Sequence, residues 1–339
     1  MNKTLKGVVS MKTFLKFLFF IGSLTVILTQ VFTDFFNDKR ILIAVLSVFF
    51  LLLGIWFIVN LFSEKIKNLK YYTKMIFCII IIIILGLIVW TKFFYLRPNM
   101  EPVYNFEDVE LLTEDGVKIH AEYTDSGKDR TAVLFHGITM NTRSDCTANL
   151  AEFLVKDFNV LNVDLRGHGK SGGALDGNEY MDVLAGVDFA KSKGNVRVGV
   201  IGMSLGSFSS LNSFRHYNNF DSLVLITPCY SKKIMNSKLK LLNTWFGRTG
   251  ERFAEVEVGN NVAWIAPEEY IEEVPPVEVL VIGGKTDWVF PVEEAENLYK
   301  NLKADKKLII IPNGHLEKLL TENRHECYKE IKEWFDRTL

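Results

Sequence analysis

The chain has 339 residues, of which 48% are hydrophobic and 26 are phenylalanine. It carries 39 Lys and Arg against 40 Asp and Glu, so its formal net charge is −1. This balance excludes a strongly basic nucleic-acid-binding protein, and the hydrophobic content excludes a disordered chain. We therefore predict one or two folded units and no nucleic-acid partner.

The composition of the chain changes near Arg97. The first 97 residues hold twelve Lys and Arg and only three Asp and Glu, so the remaining residues carry a net charge of −10. The long apolar runs are confined to the same N-terminal part. This division predicts a membrane anchor at residues 1–97 and a folded domain at residues 98–339.

Three apolar runs, at about residues 13–32, 41–62 and 75–95, predict transmembrane helices. Each run is long enough, or nearly so, to cross about 30 Å of hydrocarbon as a helix. A secretory signal peptide is disfavoured for the first run because no small-residue cleavage site follows it. No ionisable residue occupies the middle of a run, which favours an anchor over a transporter.

The positions of Lys and Arg between the apolar runs predict the orientation of the chain. The four flanking segments carry four, two, four and two of these residues in chain order. The positive-inside rule then places the N-terminus in the cytoplasm and everything after the third run outside. We expect a multi-pass cell-membrane protein with an extracytoplasmic folded domain and contacts to membrane lipids.

Strand-like and helix-like segments alternate after residue 98. The segments DVELLT and VKIHAEY flank the turn EDG and predict a hairpin. Further apolar runs follow, most of them ahead of a helical stretch: TAVLFHG, NVLNVDL, VRVGVIG, SLVLIT, VEVLVIGG and KLIIIP. This order predicts an α/β fold with a mostly parallel sheet covered by helices on both faces. Ligand chemistry in such sheets lies at the C-terminal ends of the strands.

The segment Gly202-Met203-Ser204-Leu205-Gly206 joins a predicted strand to a predicted helix. A G-x-S-x-G sequence in this setting is typical of a nucleophile elbow, a tight turn that exposes the serine hydroxyl. The N-terminus of the following helix favours developing negative charge. The alternative role for Ser204 is an ordinary helix N-cap.

Four further motifs lie at the ends of predicted strands: HGI at 136–138, DLRGHGKSGG at 164–173, GKTDWVFP at 284–291 and PNGH at 312–315. With the elbow, they make the chain resemble the α/β-hydrolase superfamily from about Phe106 to Leu339, in particular its serine esterase and serine aminopeptidase-like branches. The candidate residues follow the order of that family, Ser then Asp then His. The resemblance implies an α/β-hydrolase fold with a small lid at about residues 231–275.

The resemblance also implies roles for individual residues. Ser204 would be the nucleophile, His315 the general base and then acid, and Asp287 the carboxylate that orients the imidazole. The backbone amides of Ile138 and Leu205 would stabilise the oxyanion. General chemistry supports these roles, because a serine hydroxyl needs a base and a carboxylate fixes the imidazole tautomer.

Other residues of a reactive type have ordinary explanations. Glu293 and Glu294 open a predicted helix, where acidic residues suit the dipole. His136 and His168 follow strands in turns and are expected to form hydrogen bonds rather than to catalyse. His120 alternates with apolar neighbours on a strand and needs no functional role.

The sequence shows no metal-ligand spacing, phosphate loop or dinucleotide motif, so no metal or cofactor is expected. The predicted activity is hydrolysis of a small-molecule or lipid ester through an acyl-enzyme. An aminopeptidase-like amide hydrolase stays open, because Glu268, Glu269, Glu272 and Glu273 of the lid could hold an α-amine. An acyltransferase and a non-catalytic binding domain also stay open, and the oligomeric state is not indicated.

The predicted topology can be tested by cysteine labelling of intact cells. A membrane-impermeant thiol reagent should label a cysteine placed in the loop Asp34–Asp38 and should not label one placed near Asn68, because these loops lie on opposite sides. Protease added outside the cells should digest the region after Arg97. The opposite pattern would put the folded domain in the cytoplasm.

Overall fold

The computed structural model describes residues 103–194, 197–216, 220–243, 256–259, 262–312 and 314–339, without the side chains of residues 241, 242, 317 and 318. The predicted membrane spans at residues 13–32, 41–62 and 75–95 lie outside these ranges. Within these ranges, no helix is long and apolar enough to cross a membrane.

A single eight-stranded sheet organises the described residues, in the order β1-β2-β4-β3-β5-β6-β7-β8. The strands are β1 (Glu107–Leu112), β2 (Lys118–Thr124), β3 (Arg130–Phe135), β4 (Asn159–Val163), β5 (Arg197–Met203), β6 (Ser222–Ile226), β7 (Glu278–Gly284) and β8 (Lys306–Ile311). Strand β2 pairs antiparallel with β1 and β4, and all pairs from β4 to β8 are parallel. The mostly parallel sheet predicted from the alternating pattern is confirmed.

Helices cover both faces of the sheet. They are α1 (Asp145–Leu154), α2 (Glu179–Ser192), α3 (Leu205–Ser213), α4 (Lys232–Leu242), α5 (Val292–Asn301), α6 (Leu316–Thr321) and α7 (Arg324–Thr338). Helices α1, α6 and α7 bury apolar side chains against one face, and α2 to α5 bury theirs against the other. The central strands are apolar on both faces: in β3, Val133 and Phe135 belong to one core, and Ala132 and Leu134 to the other.

The connection between β1 and β2 is the hairpin that the sequence predicts around the turn EDG. The amide of Thr113 donates to the carbonyl of Val117 at 3.0 Å, and Gly116 takes a φ of +80° in the turn. Glycine suits this conformation because a Cβ would be strained there.

The predicted lid lies between β6 and β7. Its described part consists of α4, two short 3₁₀ turns at Pro267–Glu269 and Ile271–Glu273, and the connecting segments. Ile234, Met235 and Leu239 of α4 pack against the core beneath this face of the sheet. Apolar residues of the lid helix therefore cover the domain, while Lys232, Lys233 and Lys240 are exposed.

Two buried histidines follow β3 and β4 at the C-terminal edge of the sheet. His136 Nε2 accepts the amide of Leu165 at 3.0 Å, and His168 Nδ1 donates to the carbonyl of Arg166 at 2.9 Å. Their ring centroids lie 5.0 Å apart. Burial is the main cause that lowers the pKa of His168 to about 3, and the nearby His136 is the second. His168 is therefore neutral in the folded domain at neutral pH.

Neutral His168 predicts a loss of stability in acid. Below pH 6.5 the unfolded chain binds a proton at this residue that the folded chain does not bind until about pH 3. The free energy of unfolding should therefore fall with decreasing pH, by about 1.4 kcal/mol per pH unit for this one proton. Urea unfolding of the full-length protein in detergent between pH 6 and 4 should show a shallower slope for His168→Gln than for wild type.

The matched control is His325→Gln, which replaces an exposed histidine on α7 and should keep the wild-type slope. An equal slope for His168→Gln and His325→Gln would contradict the assignment of a neutral buried imidazole.

Candidate active site

Ser204 lies in a strained turn between β5 and α3. Its φ and ψ are +52° and −104°, a conformation that side-chain-bearing residues rarely adopt. The amide of Ser204 donates to the carbonyl of Ile226 on the neighbouring strand at 2.9 Å. This hydrogen bond and the flanking secondary structure hold the turn, as in a nucleophile elbow.

The two glycines of the elbow are required by close backbone packing. A Cβ on Gly202 would lie 2.5 Å from the carbonyl oxygen of Gly206, and a Cβ on Gly206 would lie 2.2 Å from that of Phe135. Both distances are far below a van der Waals contact distance. The helix α3 can therefore begin directly over β3 and β5 only because these side chains are absent.

Ser207 fastens the start of α3 to the sheet. The hydroxyl lies 2.6 Å from the carbonyl oxygen of Gly202 and 3.0 Å from that of Ile226, and it accepts the amide of Ile226 at 3.1 Å. The side chain thus ties the elbow to both β5 and β6.

Asp287 and His315 form a hydrogen-bonded pair at the same edge of the sheet. His315 Nδ1 donates to Asp287 Oδ2 at 2.7 Å, and the other carboxylate oxygen accepts the amides of Val289 at 2.7 Å and Phe290 at 2.9 Å. The Asp287 side chain is fully buried, whereas 18% of the His315 side chain is exposed. This arrangement fixes the imidazole with Nε2 available as a base.

The loop after β3 brings the segments of Ser204 and His315 together. A Cβ at Gly137 would lie 3.4 Å from Ser204 Cβ and 2.7 Å from Leu316 Cδ1. Gly137 therefore lies between the elbow and the residue that follows His315. Among the described residues, the Ser204 hydroxyl has no hydrogen-bond partner, so its bond to His315 is not formed here. Such bonds are often long in enzymes without substrate.

The two predicted oxyanion donors, Ile138 and Leu205, directly follow Gly137 and Ser204 in the chain. The amides of Ile138 and Leu205 have no acceptor within the part of the chain that the structure describes. The next amide, that of Gly206, is already engaged by the carbonyl of His136 at 3.1 Å. An oxyanion at Ser204 would therefore find two unengaged donors on adjoining segments.

Asp164 holds the far end of the loop that carries Ile138. Its carboxylate accepts the amide of Thr142 at 2.7 Å and a ring nitrogen of His120 at 2.8 Å. The amide group of Asn162 also donates to the carbonyl of Thr142 at 2.9 Å. Burial opposes ionisation of Asp164, but the hydrogen bonds from His120 and from backbone amides keep its pKa below the usual value. Asp164 is therefore an anion that positions this loop.

His120 has a structural role that the sequence pattern did not predict. Its two ring nitrogens contact carboxylate oxygens of Asp164 at 2.8 Å and Asp108 at 2.5 Å. Burial alone would lower its pKa, but these two hydrogen bonds raise it above the ordinary histidine value. The strand alternation could not indicate this role, because both acids lie on other segments of the chain.

Asp108, His120 and Glu122 are also close enough to share a cation, since one ligand atom of each lies within 4.8 Å of the others. Their acids already have basic partners: Lys170 bonds to Asp108 at 2.9 Å, and Arg143 bonds to Glu122. These partners make the group a network of ion pairs, and it gives no support to a metal site.

Glu294, on the first turn of α5, binds the start of the lid. Its buried carboxylate accepts the amides of Tyr230 at 2.8 Å and Ser231 at 2.7 Å, and the hydroxyl of Ser231 at 2.7 Å. It therefore fastens the start of the lid to α5 instead of orienting His315. Glu293 is exposed on the first turn of the same helix.

Comparison with known proteins gives a family-model match over part of the chain and several sequence relatives. Residues 127–274 match the family model described as serine aminopeptidase, S33. The uncharacterized protein YqkD of Bacillus subtilis (strain 168) is 28% identical over 218 residues, which cover 61% of this chain and 71% of that protein. The uncharacterized protein YfhR of Escherichia coli (strain K12) is 24% identical over 237 residues, which cover 67% and 79%.

Solved structures of similar fold are covered by this chain over nearly their whole length. An esterase of Pyrococcus furiosus is 26% identical, with a TM-score of 0.59 over 72% of this chain and 98% of that protein. An esterase of Exiguobacterium antarcticum is 17% identical, with a TM-score of 0.52 over 67% and 99%, and shows the fold alone. The family match and these structures together support the α/β-hydrolase superfamily, and an enzyme of the hydrolase type, for this chain.

Proposed function

We propose that the protein is a serine hydrolase that cleaves a carboxylic ester through an acyl-enzyme on Ser204. The observation that carries this proposal is the hydrogen-bonded pair of Asp287 and His315 at the same sheet edge as the strained elbow of Ser204. An ordinary helix N-cap does not account for the elbow, because the Ser204 side chain makes no capping hydrogen bond.

In the proposed reaction, His315 Nε2 takes the hydroxyl proton of Ser204 while Ser204 Oγ attacks the ester carbonyl carbon. The amides of Ile138 and Leu205 stabilise the resulting oxyanion. Collapse of this intermediate breaks the ester bond, and the leaving alcohol takes the proton from His315. Water then repeats the sequence on the acyl-enzyme, which releases the acid and restores Ser204.

Asp287 supports this reaction through the imidazole. Its carboxylate holds the Nδ1–H tautomer of His315, so that Nε2 presents a lone pair, and it stabilises the imidazolium that forms. The amides of Val289 and Phe290 donate to its second oxygen, so both oxygens of the buried carboxylate have hydrogen-bond partners. Asp287 is thus a positioning residue that acts through His315.

The lid acids favour the ester over the aminopeptidase-like alternative. Glu269 pairs with Lys232 at 2.7 Å, and Glu272 pairs with Lys303 at 3.1 Å. Glu268 accepts the amide of Lys232 at 2.9 Å, and Glu273 is exposed. Of these four acids, three have surface partners, so these four residues offer little to bind the α-amine of a peptide.

We further propose that the hydrolase acts outside the cytoplasm, anchored in the cell membrane by the three N-terminal apolar runs. The alternation of four, two, four and two basic residues around these runs supports this orientation. Ester substrates would then reach the site from the extracytoplasmic solution or from the membrane.

Replacing Ser204 by Ala should abolish ester hydrolysis while the fold is kept. Full-length protein in detergent should lose at least about 10⁴-fold in kcat for p-nitrophenyl butyrate, because only the nucleophilic oxygen is removed. His315→Ala should be nearly as damaging, and Asp287→Asn equally or less damaging. Losses within such a triad are strongly non-additive, so the double variants should lose little more.

The control variant is Ser192→Ala, which removes an exposed hydroxyl at the end of α2 and should keep wild-type kcat. Unfolding midpoints of all variants show whether the fold is intact. Ester hydrolysis that persists in purified, folded Ser204→Ala would refute the proposed mechanism.

A further inference from the structure

The lid helix α4 is fixed close to the loop that carries Asp287. Glu294 on α5 holds the start of the lid by accepting the amides of Tyr230 and Ser231. Met235 is buried and Leu239 packs on the same core, so the helix is held along its length. Side chains on the inner side of α4 therefore have fixed positions relative to the active site.

Lys238 is a half-buried cation on this helix. Its ammonium lies 5.8 Å from the ring centroid of Phe290, within reach of a cation–π contact. The Phe290 ring in turn meets the His315 ring edge to face, with centroids 5.7 Å apart. Lys238 is thus separated from the proposed general base by a single aromatic side chain.

Lys238 has no carboxylate partner within the described ranges. Lys232, on the same helix, is paired with Glu269, and Glu272 of the lid is paired with Lys303 at the surface. A half-buried ammonium over an aromatic ring is less well solvated than an exposed one, and its attraction for an anion is correspondingly stronger. Within the described ranges, Lys238 therefore offers an unpaired positive charge near His315.

We propose that Lys238 determines specificity for esters that carry a negatively charged group near the scissile bond. The inference rests on the proposed esterase function and adds the substrate class to it. The anion would be a carboxylate or a phosphate, held by the ammonium while the ester carbonyl lies at Ser204. A small acidic ester and the phosphate of an anionic phospholipid share this chemistry.

The first test compares two soluble esters of equal acyl length, p-nitrophenyl hemiglutarate and neutral p-nitrophenyl valerate. The measured quantity is the ratio of kcat/KM for the anionic ester over the neutral ester. Lys238→Met should lower this ratio about tenfold, because one charge-assisted contact is lost, and Lys238→Arg should retain most of it. The effect should appear mainly as a rise in KM for the anionic ester.

Lys240→Met is the matched control, since Lys240 is exposed on the same helix and contacts neither Phe290 nor His315. It should keep the wild-type ratio. Added salt should lower the wild-type ratio and leave that of Lys238→Met nearly constant.

The second test separates the two sources of the anion. Dihexanoyl phosphatidylglycerol and the zwitterionic dihexanoyl phosphatidylcholine replace the two soluble esters. If Lys238→Met lowers the kcat/KM ratio only in the lipid pair, the anion that Lys238 binds is a phospholipid headgroup. If it lowers the ratio only in the soluble pair, the anion belongs to a small acidic ester. Unchanged ratios in Lys238→Met for both pairs overturn the inference.

Failure of this inference can be told apart from failure of the proposed function. Suppose that wild type hydrolyses the neutral esters in a Ser204-dependent way and that Lys238→Met does not change the kcat/KM ratios. The esterase assignment then stands and the specificity assignment is wrong. If no ester is hydrolysed in a Ser204-dependent way, both are wrong.

Discussion

The hydrogen bond from His315 Nδ1 to Asp287 Oδ2 is the contact on which the proposed chemistry depends. A fully buried carboxylate must be satisfied by fixed partners, and Asp287 has His315 on one oxygen and the amides of Val289 and Phe290 on the other. The same contacts set the tautomer and the direction of the imidazole. Without them a serine in a strained turn would be an unreactive alcohol.

The parallel sheet makes this contact possible by ending several strands at one edge. Ser204 follows β5, and Asp287 and His315 come from the loops after β7 and β8. Two kinds of contact hold these segments and their neighbours in place. The glycines at 202 and 206 allow backbones to touch. Buried acids bind neighbouring segments, as Asp164 binds the loop that carries Ile138 and Glu294 binds the start of the lid.

The sequence predicts the fold and the candidate site better than it predicts the hydrogen bonds that hold the site's segments in place. Continuous apolar runs and the order of motifs indicate the sheet, because both depend on residues close in the chain. Asp164, which bonds to His120, lies 44 residues away in the chain, and Ser231, which bonds to Glu294, lies 63 residues away, so no local pattern could indicate these two contacts. The hydrogen bonds of Ser207 to β5 and β6 are visible only in the structure. The position of Lys238 next to Phe290 likewise depends on how the lid packs.

The most direct test of the central claim is to find which atom of the protein reacts as the nucleophile. Full-length protein in detergent is treated with a fluorophosphonate, digested, and mapped by mass spectrometry. Because only a serine activated by a base attacks phosphorus rapidly, the account predicts one stoichiometric adduct on Ser204, lost in His315→Ala. An adduct on a different residue, or none in protein that hydrolyses esters, would contradict it.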